Sequence, residues 1–310
     1  MRARGAHWAL VALALTTSAR TDAFVRSRGP SSGGTLGPAL FWCTRQPSFV
    51  VNEKGSQDAG AQASIEAVRR SFQTWTQTGC SDLAILDEGT TRQTDVGFDS
   101  GASDNQNLVV WREVDCASVV PAGASCLDDG GCNNQYGCWD HEPETIAITT
   151  TSFDNDTGEI LDADIELNGA GFVFTTVDSP QCSGPARPGA NDCVSTDIQN
   201  TVTHEAGHFL GLDHAPDRSS TMFASEAEGE TLKRTLSDDD VQGVCAIYPT
   251  GIAASPSCSQ GSINGGSGSG GGCSTGGARA LGTVGALASL HALLRRRRPA
   301  APSTTPPSRG

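Results

Sequence analysis

His204-Glu205-Ala206-Gly207-His208-Phe209-Leu210-Gly211-Leu212-Asp213-His214 is the stretch that decides the fold. It reads H-E-x-x-H-x-x-G-x-x-H. His204 and His208 are four residues apart, so on an α-helix both rings share one face, with Cβ atoms about 5–6 Å apart. Two imidazole nitrogens at that spacing can reach one zinc ion at about 2.0–2.1 Å. Glu205 flanks the metal without binding it, where its carboxylate can act as a general base on water. Gly211 can take a positive φ and stop the helix. The chain then swings back and His214 closes the ligand set. Three neutral ligands leave one coordination position open, which is the catalytic rather than the structural arrangement. Of six histidines in the chain, three lie in this window. A bare H-E-x-x-H arises by chance, but the added Gly and third His at these spacings do not come cheaply.

The motif resembles that of the metzincin clan of zinc endopeptidases, and within it the matrixin branch. Two further stretches carry the resemblance. Met222, eight residues after His214, stands where the clan places its Met-turn, an apolar floor under the zinc. Leu236 to Pro249 resembles the last helix of matrixin catalytic domains. It reads as a helix unaided, with Ser237 as N-cap, three acids in the first turn, and Val241, Val244, Ile247 and Tyr248 as an apolar stripe.

The resemblance spans about residues 40–250. It implies an α+β, zincin-like fold. A twisted, mostly parallel five-stranded sheet with an antiparallel edge strand would pack on an N-terminal helix and the zinc helix, with a C-terminal helix added. It implies one catalytic Zn2+ on His204, His208 and His214, and a protein or peptide substrate. Glu205 would take a proton from the attacking water and return it to the leaving amine. Thr145-Ile146-Ala147-Ile148-Thr149 would be the sheet edge above the cleft, where a substrate peptide can add as an extra strand.

Three departures stand out. Phe223-Ala224 replaces the usual Tyr-Pro after the Met, so the wall of the specificity pocket differs. His141 is the one histidine outside the motif and the terminal segments, so a second, structural zinc is not expected. No P-R-C-G stretch precedes the domain. The rival class is a zinc-holding adhesive or binding module without turnover. Glu205, which such a module does not need, argues for the enzyme.

The net charge is −14, with +2 over residues 1–4 and +6 over 278–310, leaving −22 between. Such a surface argues against nucleic acid. Eleven cysteines lack paired C-x-x-C spacing, so disulfides in an oxidising compartment are expected. Ten of them, from Cys43 to Cys258, can make five bridges, and Cys273 is left over. Cys182–Cys193 is the natural local pair, and residues 116, 126, 132 and 138 would staple the loop 114–143.

Along the chain, Arg2, Arg4 and an apolar run from Trp8 precede small residues, so residues 1–23 read as a secretory signal peptide and the protein as secreted or cell-surface. Residues 24–40 read as a flexible segment, 41–250 as the protease-like domain, 251–277 as a Ser/Gly-rich linker and 278–310 as a sorting or anchor tail. Ile65, Val68, Phe72 and Trp75 predict an amphipathic helix over 61–77. Strands are expected at 48–51, 83–86, 108–111, 145–151 and 162–168. Asp154 to Glu159 and the alternating Asp162, Asp164 and Glu166 offer oxygens for Ca2+, with a solvated strand face as the plainer alternative. The order Cys273, apolar run, four arginines resembles myxobacterial C-terminal sorting tails, with Cys273 as processing point. Membrane contact is expected through that tail alone, and the body as a monomer.

Overall fold

The computed structural model describes residues 24–30, 35–102, 105–258 and the backbone of a strand at 281–292. The expected signal peptide, Cys273 and the arginine cluster lie outside the described residues. No helix among the described residues is long and apolar enough to cross a membrane.

Four of the expected strands are present as β2 (Ser48–Asn52), β4 (Leu108–Trp111), β5 (Thr145–Asp154) and β6 (Ile160–Leu167), and the one expected at 83–86 is displaced to β3 (Leu86–Thr91). They lie in the order β3-β2-β4-β6-β5, parallel except for β5. Two more strands, β11 (Leu281–Ala292) and β10 (Ser225–Glu226), make the sheet seven-stranded, so β5, expected as the edge strand, is paired on both sides, and β7 (Phe174–Thr175) and β8 (Thr196–Asp197) form a separate parallel pair. β3 begins where 83–86 was expected to end. Leu83 is buried in a non-strand segment, and the strand itself is the polar, largely exposed Leu-Asp-Glu-Gly-Thr-Thr.

Helix α1 (Ala61–Thr76) covers one face of the sheet and buries the predicted stripe Ile65, Val68, Phe72 and Trp75. Phe72 stacks on Phe49 of β2 at 4.0 Å and meets Phe209 edge-on at 5.3 Å. A phenylalanine buried this fully contributes about 1.5–3 kcal/mol. The Trp75 indole N–H donates to the Thr203 carbonyl at 2.9 Å, locking α1 to the histidine helix α5 (Ile198–Phe209).

Five disulfides join Cys43–Cys258, Cys80–Cys245, Cys116–Cys138, Cys126–Cys132 and Cys182–Cys193. Two of them staple three short turns, α2 (Cys116–Val119), α3 (Cys126–Asp129) and α4 (Cys132–Tyr136), in the Cys-rich loop.

Two expectations change. Residues 24–30 and 35–40 are not loose: β1 (Val25–Arg26) pairs antiparallel with β9 (Leu212–Asp213), and Leu40 is buried. The reason lies in the ligand loop, whose carbonyls need donors. Ser27 N–H donates to Gly211 O at 2.9 Å and its hydroxyl to Leu212 O at 2.8 Å. The acids of β6 are not a solvated face either, because Asp162, Asp164 and Glu166 are all buried. β6 is a central strand, and Gly97, Leu108, Arg112 and Asn133 bring donors to its acids.

Glu166 accepts from Arg112 Nε at 2.5 Å and from Asn133, with His141 at 3.4 Å. Burial alone would raise the Glu166 carboxyl; His141 and Arg112 reverse this and hold it below its usual range. Asp164 accepts the Gly97 and Leu108 N–H groups, and Asp154 accepts those of Asp156 and Thr157. Of the oxygens expected to suit Ca2+, those of Asp154, Asp164 and Glu166 accept internal hydrogen bonds, while Asn155 Oδ1 and Asp162 Oδ2 are buried with no partner.

Candidate active site

Helix α5 is buried along almost its whole length, so its polar groups must be satisfied by named partners. Asp197 caps its start, accepting from Asn200 N–H at 2.8 Å, and Arg234 grips the other edge of that carboxylate through Nε and Nη2 at 2.7 and 2.6 Å. The helix stops as predicted at Gly211, with φ of 90°. A Cβ there would collide with the Leu40 carbonyl. Tyr248, at the end of α6 (Asp238–Ile247), donates its hydroxyl to the otherwise orphaned Leu210 carbonyl at 2.9 Å.

The turn brings His214 back to the helix. His204 Nε2 lies 3.1 Å from His208 Nε2 and 3.3 Å from His214 Nε2. Two nitrogens about 2.0–2.1 Å from one tetrahedral zinc would stand about 3.3 Å apart. The other ring nitrogens set the tautomers. His204 Nδ1 donates to the Thr221 carbonyl at 2.6 Å and His208 Nδ1 to the Leu212 carbonyl at 2.8 Å. Carbonyls only accept, so these Nδ1 atoms carry the protons and the Nε2 lone pairs face one another. Burial, reinforced by the neighbouring rings, holds His204 well below the usual histidine range and His208 near 3, so both stay neutral. Two unprotonated Nε2 atoms and the Nε2 of His214 converge on one point and fit a zinc ion. This is the one cluster of three such ligands among the described residues.

Glu205 is fully buried beside them. Its Oε2 accepts the Thr149 hydroxyl at 2.6 Å, while Oε1 is buried with no partner. Burial pushes the carboxyl up to about 8, with the Thr149 hydroxyl pulling the other way and Glu226 adding to the rise.

Met222 is buried at 2% exposure and its carbonyl accepts from Ala215 N–H at 2.9 Å. Its thioether fills the space that a side chain at Gly207 would need. A Cβ on Gly207 would meet Met222 Sδ and stand 2.9 Å from Trp75 Cζ2. Gly207→Ala is therefore expected to destabilise the protein by about 1–3 kcal/mol through overpacking. A melt with the wild-type midpoint would refute this.

Sequence reasoning missed several supports. Asp240 was legible only as a helix-dipole acid, yet its carboxylate accepts Ser220 Oγ at 2.6 Å, Thr221 N–H at 2.8 Å and Met222 N–H at 3.2 Å. It thereby holds the Met-turn and, through Thr221, His204. Thr149 was read only as part of the edge segment 145–149. Glu226 carried no signal at all.

Glu226 is buried in β10, accepting from Thr201 Oγ1 at 3.1 Å one turn before His204. Burial raises it from 4.5 to about 8 against the pull of Lys233. A raised carboxyl adds stability that is complete below pH 4.5 and is lost as pH rises through about 8. Glu226→Gln is expected to flatten this decline, read as midpoint temperatures at pH 5 and 8.5 for both proteins. Parallel curves would refute it.

A mixed sheet with a buried helix carrying an H-E-x-x-H pair, a returning third histidine and a methionine beneath defines a zincin-type hydrolase scaffold. The matrixin family profile matches residues 42–249, and the chain belongs to the matrixin family. It is similar to metalloendoproteinase 1-MMP of Arabidopsis thaliana, 42% identical over 55 residues, which is 18% of this chain and 15% of that protein. Human neutrophil collagenase is 42% identical over 66 residues, 21% of this chain and 14% of its own. Human matrilysin is 36% identical over 47 residues, 15% and 18% of the two chains. The matched stretches span less than a fifth of these relatives.

Proposed function

We propose that this protein is a zinc-dependent endopeptidase that acts outside the cell. The observation that carries the reading is the convergence of three histidine Nε2 atoms beside a buried carboxylate with one unpartnered oxygen. His204, His208 and His214 would hold the metal. When bound, zinc would polarise the scissile carbonyl and lower the pKa of water to about 7.

The chain's own residues do the rest. Thr149 fixes one Glu205 oxygen, leaving Oε1 to accept a proton from the attacking water and deliver it to the leaving amine. Thr221 and Leu212 carbonyls hold the ring orientations of His204 and His208. The outer edge of β5, from Thr145 to Thr149, which β11 pairs with in this structure, carries the main-chain groups an extended peptide would use, and such pairing suits polymers of varied sequence. Five disulfides and an N-terminal signal-like segment support export. The domain organisation is that of a leader over 1–23, a catalytic body ending near 250, a Ser/Gly-rich connector and a basic, apolar tail.

The test is residues 24–258, which contain all five bridges, on gelatin and casein. Zinc near one equivalent and cleavage abolished by a chelator and restored by zinc are expected. Stoichiometric zinc with no cleavage of any protein would overturn the enzyme reading in favour of a binding module.

A further inference from the structure

We propose that residues 281–292 are an in-chain occupant of the substrate groove, so that the protein carries a latency device at its C-terminal end. This rests on the endopeptidase reading.

The groove lies between the outer edge of β5 and β10, which follows Met222 by three residues. It is one strand wide. β11 fills it, antiparallel to β5 from Leu281 opposite Asp154 to His291 opposite Thr145. It is also parallel to β10, with His291 opposite Ser225 and Ala292 opposite Glu226. An extended substrate must use the same free N–H and C=O groups of β5, and each can serve one partner. Substrate and tail therefore exclude each other.

The register shifts twice, between Val284 and Ala288 and between Leu290 and His291, and the larger shift falls beside Thr149. Val284 stands opposite Thr151 and Ala288 opposite Thr149. Gly285, Ala286 and Leu287 thus face the single residue Thr150. Thr149 is the residue whose hydroxyl holds Glu205. The backbone of the tail is paired on both sides of this level and bulges out of register beside the catalytic carboxylate. A bulge bends its strand and re-aims its peptide groups. Pairing outside the bulge binds the tail, and the bulge keeps its peptide bonds out of cleavage register.

Charge and tether favour this occupant. The tail, 278–310, carries +6 and residues 5–277 carry −22. Twenty-two residues separate Leu281 from Cys258, which is bonded to Cys43. Tethering through a linker of that length gives an effective concentration of order mM, so even weak pairing fills the groove.

The test uses the zinc-loaded chain from Phe24 to Gly310 and its Ala288→Pro/Ser289→Pro variant. Adjacent amides of a strand point to opposite sides, so one of the two prolines removes a bond toward β5. Hydrogen exchange at the β5 amides is expected to speed up in the variant. Its kcat/KM on a quenched peptide is expected to rise by about tenfold or more. A synthetic peptide of residues 281–292 should inhibit the variant competitively.

Equal β5 exchange in the two proteins would overturn the proposal, including when the tail instead partitions into anionic phosphatidylglycerol vesicles. Cleavage of the tail within 285–287 would also overturn it, by making the tail a substrate. Exchange needs no turnover. Faster exchange with no activity in either protein would sink the endopeptidase reading and leave the occupancy standing.

Discussion

Glu205→Gln is expected to lower kcat by about 10²–10⁴-fold while zinc content and KM stay near wild type. The amide keeps the carbonyl oxygen that accepts the Thr149 hydroxyl, so the side chain stays in place. What it loses is a site for a proton. Glu205 sits in a fully buried environment that raises its proton affinity to about 8, with Oε1 unpartnered. An amide has no comparable affinity at any pH between 5 and 9. The substitution also removes a buried ionisable group, so the folded protein should melt no lower than wild type. Single-turnover cleavage of a quenched peptide, beside elemental analysis of the same sample, is the measurement. Activity within about threefold of wild type would mean that another group moves the proton.

The second large effect concerns stability. Arg112 and Glu166 are each 1% exposed and bonded at 2.5 Å. Removing one partner of such a pair strands the other charge in a dry interior, at about 3–5 kcal/mol. Arg112→Met is expected to cost that amount in denaturant unfolding, because Glu166 keeps only Asn133 and His141. Arg112→Met with Glu166→Leu should recover most of the loss, since a paired replacement by apolar groups leaves no orphaned charge. If the double variant is no more stable than the single one, the ion pair is not the source of the effect. The pair also matters to the groove. Glu166 stands opposite Ile148 in the β5–β6 ladder, one residue from Thr149. Loosening this wall is expected to act on substrate affinity before it acts on metal binding.

The legible parts of this molecule are those encoded locally. The i, i+4 histidines, the positive-φ Gly211 and the Ser237 N-cap each report on a few neighbouring residues, and each stands where its spacing put it. Cys182–Cys193, eleven residues apart, was legible for the same reason.

The illegible parts depend on what the chain brings from far away. Alternating acids over 162–166 look like a wet strand face. They are dry because earlier parts of the chain bring Arg112 and backbone donors to them. Residues 24–30 have a loop-like composition. They are held because the ligand loop, some 185 residues on, has carbonyls to satisfy. Asp240 serves the Met-turn from across a connection of eighteen residues, with no periodicity to announce it. β3 was misplaced because an apolar run is the usual strand signal, and here the apolar residues pack as coil while polar ones pair at the sheet edge.

The bridge between Cys43 and Cys258 has a topological outcome. Nearly the whole folded body lies inside one covalent ring. A single backbone scission anywhere between those residues opens the ring into a longer branched chain without releasing a fragment. On the endopeptidase reading, crowded copies would nick one another, and this closure would keep a damaged molecule assembled around its histidines.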